Sequence, residues 1–385
     1  MLIIRALSEE SGSLHRISES DDTRLLMEAI DSGQEVKDVG HAGTAMRFLT
    51  AYFALQPGTV TLTGSDRMKQ RPLYPLIGAL RELGAEIECL EKEGYPPVRI
   101  TGGYIRGGNI RIDGGISSQF ISALMMVGPI LEGGLELSLS GKAVSETYIQ
   151  MTLALMKEAG VPARFDGHKI TVPQHDYQLG SFTVEADWSS ASYWYQVAAL
   201  LPGSRLKLPH LQRRSVQGDS VLADLFSHLG VTTRFTEEGV ELHAAGDHPK
   251  NRFDHDFIGS PDLVQTCAVT CCALRVPFRF TGTSTLVIKE TDRIAALRSE
   301  LGKLGFILSS GPRGEWISWD GTEGTRRDHP LIRTYHDHRM AMAFAPLSVY
   351  TGSISIDDPD VVTKSYPGYW SDLKKAGFRV GEMED

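Results

Sequence analysis

One phrase recurs along the chain: an amphipathic helical run that ends in glycine and is followed by a short strand. Arg71 to Glu88 reads RPLYPLIGALRELGAEIE, Tyr148 to Phe165 reads YIQMTLALMKEAGVPARF, and Gly218 to Phe235 reads GDSVLADLFSHLGVTTRF. Thr291 to Leu308 reads TDRIAALRSELGKLGFIL, Tyr366 to Val380 reads YPGYWSDLKKAGFRV, and a weaker copy runs from Asp21 to Gly33. In each, Leu, Ile or Met recurs at three- and four-residue spacing, which gives one apolar helix face. Gly84, Gly160, Gly230, Gly305 and Gly377 stand where a left-handed residue ends a helix. They lie 70 to 76 residues apart, too long for a solenoid repeat of about 20 to 50 residues.

That spacing suits six copies of a small sheet-plus-helices unit. A single unit cannot bury its helix face alone, so three units sharing a core give one domain and six give two. The expected fold is α/β (α+β), with helices inside and sheets outside. The expected boundary lies near Val184-Glu185-Ala186-Asp187, giving domains 1–185 and 186–385, with a ligand site in the cleft between them.

The net charge is −9, which argues against a nucleic-acid partner and means that an anion site must concentrate cations locally. No apolar run reaches the roughly 18 residues of a membrane span. Met1 to Arg5 shows no basic leader or cleavage site, so no signal peptide is expected. Cys267, Cys271 and Cys272 share an apolar helical run, Cys89 stands apart, and no Cys-x-x-Cys pair completes a metal site. Buried thiols in a reducing cytoplasm are the expectation.

Lys289-Glu290-Thr291-Asp292-Arg293 carries the densest charge. The sequence predicts a buried strand over Thr285 to Ile288 and a helix from Ile294, with Thr291 as N-cap and Asp292 in the first turn. Cations beside free helix N–H groups suit an anionic substrate, and a carboxylate among them suits proton transfer. An ion-paired surface cap is the ordinary reading.

Other stretches repeat this placement. Gly40 to Arg47 puts two glycines and a Thr before a helix over Met46 to Leu55, with Gly43 open to close backbone approach. Arg71 precedes Pro72, which suits a first helical position. Ser117, Ser118 and Gln119 precede the apolar run Ile121 to Val127, and Ser145 precedes another helix. Asp262 follows Ser260-Pro261 ahead of the cysteine helix. His336-Asp337-His338 invites a metal reading, but no further ligands stand at helical spacing, and a charged helix cap is preferred. Lys364 lies at a strand-to-helix junction. Each site alone reads as capping or a solvated loop. Together, Arg47, Arg71, Lys289, Arg293, Arg339 and Lys364 all stand at turns that open helices in both halves, as a site for a multiply anionic substrate pair would require.

The strings GHAGTAMR, RMKQRP, SSQF, KETDR, DHRMAM and TKSYP stand in an order that resembles the 5-enolpyruvylshikimate-3-phosphate (EPSP) synthase family over essentially all 385 residues. The related UDP-N-acetylglucosamine enolpyruvyl transferases usually carry a catalytic Cys before an Arg-Pro pair. The Arg71-Pro72 stretch has none. The resemblance implies a two-domain inside-out α/β barrel of six βαβαββ units, three per domain. It implies transfer of the enolpyruvyl group of phosphoenolpyruvate to the 5-hydroxyl of shikimate 3-phosphate, with phosphate leaving after a tetrahedral intermediate. No metal or organic cofactor is implied, and the expectation is a cytoplasmic monomer.

By the same resemblance, Asp262 takes the 5-hydroxyl proton and Glu290 protonates the phosphoenolpyruvate methylene carbon. Ser117, Ser118, Ser145 and Lys289 hold shikimate 3-phosphate. Gly43, Arg71, Gln119, Arg293, Arg339 and Lys364 hold phosphoenolpyruvate. Three departures stand out. Met1 to Leu7 matches the helix that follows a Pro-Gly-Ser-Lys-Ser loop in the family, so an extended chain carrying that loop is expected to be active, and activity without it is expected to be impaired. Thr285 stands where an Asn touching the shikimate moiety is common, and Phe48 where Pro is common. The alternatives to this enzyme are a non-catalytic anion-binding relative and a UDP-N-acetylglucosamine enolpyruvyl transferase.

Overall fold

In the computed structural model of the chain, the strands group into sheets that repeat one plan. The structure describes residues 1–9, 12–115, 117–141, 146–244 and 251–381. Val36–Asp38, helix Gly43–Leu55, Gly58–Thr63, helix Tyr74–Glu82, Glu86–Cys89 and Val98–Gly102 form one βαβαββ unit. Its first two strands pair in parallel and the last two complete an antiparallel ladder. The plan recurs from Arg106 to Val172 and from Phe253 to Trp319, again with one parallel pair and two antiparallel ones. Among the described residues there are six sheets. The parallel pairs need long crossovers, and helices supply them.

The chain divides into two compact units, Met1–Val184 and Glu185–Asp385, each with its own apolar core and three of the sheets. In the first, helices Gly43–Leu55 and Ser118–Val127 are buried almost throughout. In the second, every residue of Val264–Ala273 is buried, and Trp188–Leu200 and His338–Phe344 are buried over most of their length. Helices that are apolar on all sides belong in a core, and these form it. Amphipathic helices such as Asp21–Asp31 flank them.

The five repeat glycines all adopt positive φ, from 83° at Gly230 to 101° at Gly84. A side chain at these positions would be strained, so the helix–Gly–strand phrase is a steric requirement of the turn. Cys267, Cys271 and Cys272 are buried free thiols, and burial pushes all three thiols up. No described helix is long and apolar enough to cross a membrane.

Some local expectations are corrected. Thr285 to Ile288 is not a strand: Ser284–Ile288 is a 3-10 turn whose Ile288 is 59% exposed. The strand lies earlier, at Phe278–Thr281, and Gly282 at φ 71° turns the chain out of the sheet. A short apolar run carries no periodicity that separates these alternatives. The helix cap is Asp292, which accepts from the N–H groups of Ile294 and Ala295 at 3.1 and 3.0 Å, in place of Thr291. Pro72 does not open a helix; Tyr74–Glu82 carries its proline one residue in, and Arg71 follows a separate turn, Asp66–Lys69. The helix expected from Met46 begins at Gly43. Lys364 ends a 3-10 segment, Pro359–Lys364.

Candidate active site

In the second unit, three helix starts deliver charge to one place. Asp262 sits in the 3-10 turn Pro261–Leu263 that feeds the fully buried helix Val264–Ala273. Lys289 and Glu290 stand between the Ser284–Ile288 turn and the helix Arg293–Lys303. Arg339 lies in the first turn of His338–Phe344, whose N-cap is Asp337.

Arg293 is the hub. It is 1% exposed, yet its guanidinium meets three carboxylates. Nε bonds Asp337 at 2.7 Å, Nη1 bonds Asp262 at 2.9 Å, and Nη2 bonds Glu290 at 3.0 Å. A fully desolvated guanidinium requires such compensation, and the planar fork of Arg supplies several donors at once. The other oxygen of Asp262 accepts from Arg339 Nη2 at 2.9 Å, with Lys289 Nζ 3.9 Å from the first. The other oxygen of Glu290 faces Lys364 Nζ at 3.1 Å. Arg339 also donates to the Tyr193 hydroxyl at 3.4 Å. Four cations thus interlock with three carboxylates.

The fields follow from this packing. Burial alone would raise the Asp262 carboxyl, but Arg339, Lys289 and Arg293 outweigh it and hold it far below the usual carboxylate range. Burial lowers Lys289, opposed by Asp262. Burial would lower Arg293 and Arg339 too, but their carboxylate partners keep both charged. Burial pushes the Tyr193 hydroxyl up to about 12. His338, beside these groups, is driven well below its ordinary value by burial and then by Lys364 and Arg339.

The first unit carries a second cluster. Arg47 Nη1 donates to the carbonyl of Gly43 at 2.8 Å, and its guanidinium lies 5.1 Å from the centre of the Phe120 ring. A Cβ on Gly43 would fall on Nη1 of Arg71 and lie 2.8 Å from Nη1 of Arg47. Glycine is therefore what lets two buried guanidiniums crowd the start of this helix. Gln119 Nε2 donates to Thr44 Oγ1 at 2.8 Å, tying the second helix start to the first. Ser117 caps the Ser118–Val127 helix, its hydroxyl accepting from Gln119 N at 3.4 Å, and Ser118 is buried.

Of the residues expected from sequence, Asp262, Lys289, Glu290, Arg293, Arg339 and Lys364 come together in the second unit. Gly43, Arg71, Gln119, Ser117 and Ser118 lie about the two adjoining helix starts of the first. Ser145 lies outside the described residues. Thr285 Oγ1 is buried with no hydrogen-bond partner among the described residues, in the turn that leads to Lys289. Sequence reasoning missed Asp337 and Tyr193 as parts of the site. An Asp directly before a small-residue helix signalled only the cap. The His-Asp-His string separates: His336 is exposed beside Asp358, while His338 is buried.

This arrangement can bind phosphate and carboxylate groups and move protons between carboxyls and a bound substrate. The sequence profile of the family described as EPSP synthase (3-phosphoshikimate 1-carboxyvinyltransferase) matches residues 2–373. A 3-phosphoshikimate 1-carboxyvinyltransferase of Bacteroides fragilis (strain YCH46) is 52% identical over 384 residues, 99% of this chain and 93% of that relative. One from Sulfurovum sp. (strain NBC37-1) is 36% identical, covering 97% of this chain and 92% of its own length. The solved EPSP synthase of Acinetobacter baumannii superposes with a TM-score of 0.74 at 21% identity, covering 97% of this chain and 92% of that one, a likeness of fold. On sequence, with the fold alongside, the chain belongs to the EPSP synthase family.

Proposed function

We propose that this enzyme, a 3-phosphoshikimate 1-carboxyvinyltransferase, performs its transfer with Asp262 as proton acceptor and Glu290 as proton donor. The acceptor is the 5-hydroxyl of shikimate 3-phosphate and the donor of the enolpyruvyl group is phosphoenolpyruvate. The observation that supports the reading is that Asp262 and Glu290 both meet one buried guanidinium, Arg293, with Arg339, Lys289 and Lys364 within 3.9 Å; which of the two is acid and which base is what the family resemblance implies.

The chemistry then runs as follows. A proton passes from Glu290 to the methylene carbon of phosphoenolpyruvate, and the adjacent carbon takes up the hydroxyl oxygen. The hydroxyl proton goes to Asp262 as the new C–O bond forms, leaving a tetrahedral intermediate. In the second half the Glu290 carboxylate recovers a proton from the methyl group, the C–O bond to phosphate breaks, and Asp262 returns its proton to the leaving phosphate. Each carboxyl ends in its starting state.

Asp262 clamped by three cations is a weak base. Substrate anions that draw Arg339, Arg293 and Lys289 toward themselves loosen that clamp and raise its basicity as the complex forms. Gly43, Arg71, Gln119, Arg293, Arg339 and Lys364 serve phosphoenolpyruvate. Ser117, Ser118, Ser145 and Lys289 serve shikimate 3-phosphate. Thr285, with its unpartnered buried hydroxyl, is suited to a hydroxyl of the same substrate. The reading further takes the enzyme to be a cytoplasmic monomer that acts on small molecules without a metal, organic cofactor or nucleic acid.

The test is phosphate release from phosphoenolpyruvate with either acceptor. Turnover with shikimate 3-phosphate, and none with UDP-N-acetylglucosamine, is expected of a chain that carries the Pro-Gly-Ser-Lys-Ser segment. Turnover only with the UDP-sugar, or binding of shikimate 3-phosphate with no turnover by that chain, would overturn it.

A further inference from the structure

Arg293 holds Asp337 from the first turn of its helix. Two turns further along that helix, Glu300 holds the stretch that leads to Asp337, and the transfer as described leaves Glu300 without a part. Positions seven apart lie on one helix face, about 10 Å from each other. Glu300 is fully buried. Its Oε2 accepts from the backbone N–H of Arg333 at 3.0 Å and from Lys303 Nζ at 2.5 Å. Its Oε1 accepts from the Tyr335 hydroxyl at 2.7 Å and from the Ser299 hydroxyl at 3.3 Å. Neutralising the carboxylate needs Lys303 alone; the bonds to Arg333 and Tyr335 tie it to another segment.

That segment has a backbone its residues do not favour. Thr334 O accepts from Asp337 N–H at 2.9 Å, which closes a turn around Tyr335 and His336. Both are left-handed, with φ of 55° and 57°. Asn and Gly ordinarily fill such a pair of positions. A Tyr and a His are strained there, and the conformation persists only where the surroundings over-determine it. His336 is exposed, and its bond to Asp358 lies at the surface, where it constrains little. Asp357 follows the Ser355–Ile356 strand that pairs with Leu331–Ile332, and its Oδ1 accepts from Thr334 N–H at 2.6 Å, which fixes the entry to the turn. Of these three carboxylates, Glu300 is the fully buried one, and it reaches Tyr335 inside the turn.

We propose that Glu300 is a positioning residue for the transfer: through Arg333 and Tyr335 it keeps the Thr334–Asp337 turn left-handed, so that Asp337 meets Arg293 and Arg339 is presented to phosphoenolpyruvate. One helix face then grips the chain on both sides of the turn, Glu300 before it and Arg293 after it. Glu300 touches no substrate. Without its grip Tyr335 and His336 relax toward ordinary backbone angles, and Asp337 shifts together with the helix start that carries Arg339. The inference rests on the reading of Arg339 as a group that serves phosphoenolpyruvate.

The test uses the chain that carries the Pro-Gly-Ser-Lys-Ser segment, with Glu300→Gln, Tyr335→Phe and Arg339→Lys measured beside it. Tyr335→Phe removes one hydroxyl and leaves the Lys303–Glu300 pair in place, so it loosens the grip without uncovering a buried charge. Glu300→Gln and Tyr335→Phe should each lower kcat/KM for phosphoenolpyruvate, roughly tenfold or more for a misplaced Arg339, with calorimetric binding of shikimate 3-phosphate retained. Amide hydrogen exchange over residues 333–340 should quicken in both. Adding Tyr335→Asn and His336→Gly to Glu300→Gln supplies residues that take the turn unaided, and should restore kcat/KM and slow the exchange again. A group that served stability alone would not be rescued in this way. Unchanged exchange or unchanged kcat/KM in both single variants, or a loss that the Asn-Gly turn does not recover, would overturn the proposal. If Arg339→Lys leaves the KM for phosphoenolpyruvate unchanged while the exchange behaves as expected, the reading of Arg339 falls instead, and with it the use of the turn for this substrate.

Discussion

Asp337 bonds the Nε of Arg293 at 2.7 Å while its other oxygen accepts from the backbone N–H of Arg339 at 2.9 Å. One buried carboxylate thus fixes the guanidinium of one helix and caps the helix that presents the other. Removing it leaves a fully buried Arg293 short of a partner and a helix without its cap. Asp337→Ala should cost about 3–5 kcal/mol, read as a lower urea midpoint with an unchanged m-value. Asp337→Asn keeps the cap and should recover part of that loss. A loss below about 1 kcal/mol for Asp337→Ala would show that Arg293 does not depend on it.

Asp262→Asn and Glu290→Gln keep side-chain shape and remove the proton-transfer chemistry. Each should lower kcat by roughly 10²- to 10⁴-fold, with shikimate 3-phosphate binding retained in calorimetry. If either variant loses binding with kcat intact, that residue holds substrate and does not move protons.

Gly43 heads a helix and has an ordinary φ, so alanine suits the backbone there. Its methyl would displace the Arg71 and Arg47 guanidiniums. Gly43→Ala should leave the chain folded, since the backbone there suits Ala and the atoms the methyl meets are the far ends of two long side chains. The KM for phosphoenolpyruvate should rise, roughly tenfold or more for one displaced charge-assisted contact, while the KM for shikimate 3-phosphate changes little. An unchanged KM for phosphoenolpyruvate would remove Arg71 from that substrate's site.

His338 is held neutral by burial and by its cationic neighbours Lys364 and Arg339. The unfolded chain takes up a proton near the ordinary value of 6.5 and the folded one does not. Its contribution to stability is therefore complete above that pH and falls as pH drops below it, by up to about 1.4 kcal/mol per unit. His338→Asn should lose less stability than the parent between about pH 6.5 and 5, measured by urea unfolding at each pH. The difference between the two proteins isolates this group from the carboxyls that titrate in the same window. Parallel curves would mean that His338 is protonated in the folded state.

Much of the fold was legible before any coordinates. The helix–Gly–strand phrase is a local steric statement: Gly84, Gly160, Gly230, Gly305 and Gly377 all hold positive φ, as a chain of alternating helices and strands requires. The apolar run around Cys267 had to be buried on every side, and it is. Thr285 to Ile288 misled because three apolar residues after a Thr suit a strand or a helical turn equally, and only Gly282 and the neighbouring ladder decide between them.

The sequence by itself determined the repeated unit, the buried helices and the residue types that open them, because capping, periodicity and glycine turns act over a few residues. Tertiary structure alone decided that Asp262, Glu290 and Asp337, spread over 75 positions from 262 to 337, close on a single Arg293. Local preference cannot encode those meetings. They arise because each helix must bury its apolar faces in one core, and that packing brings the charged starts of separate helices to one place.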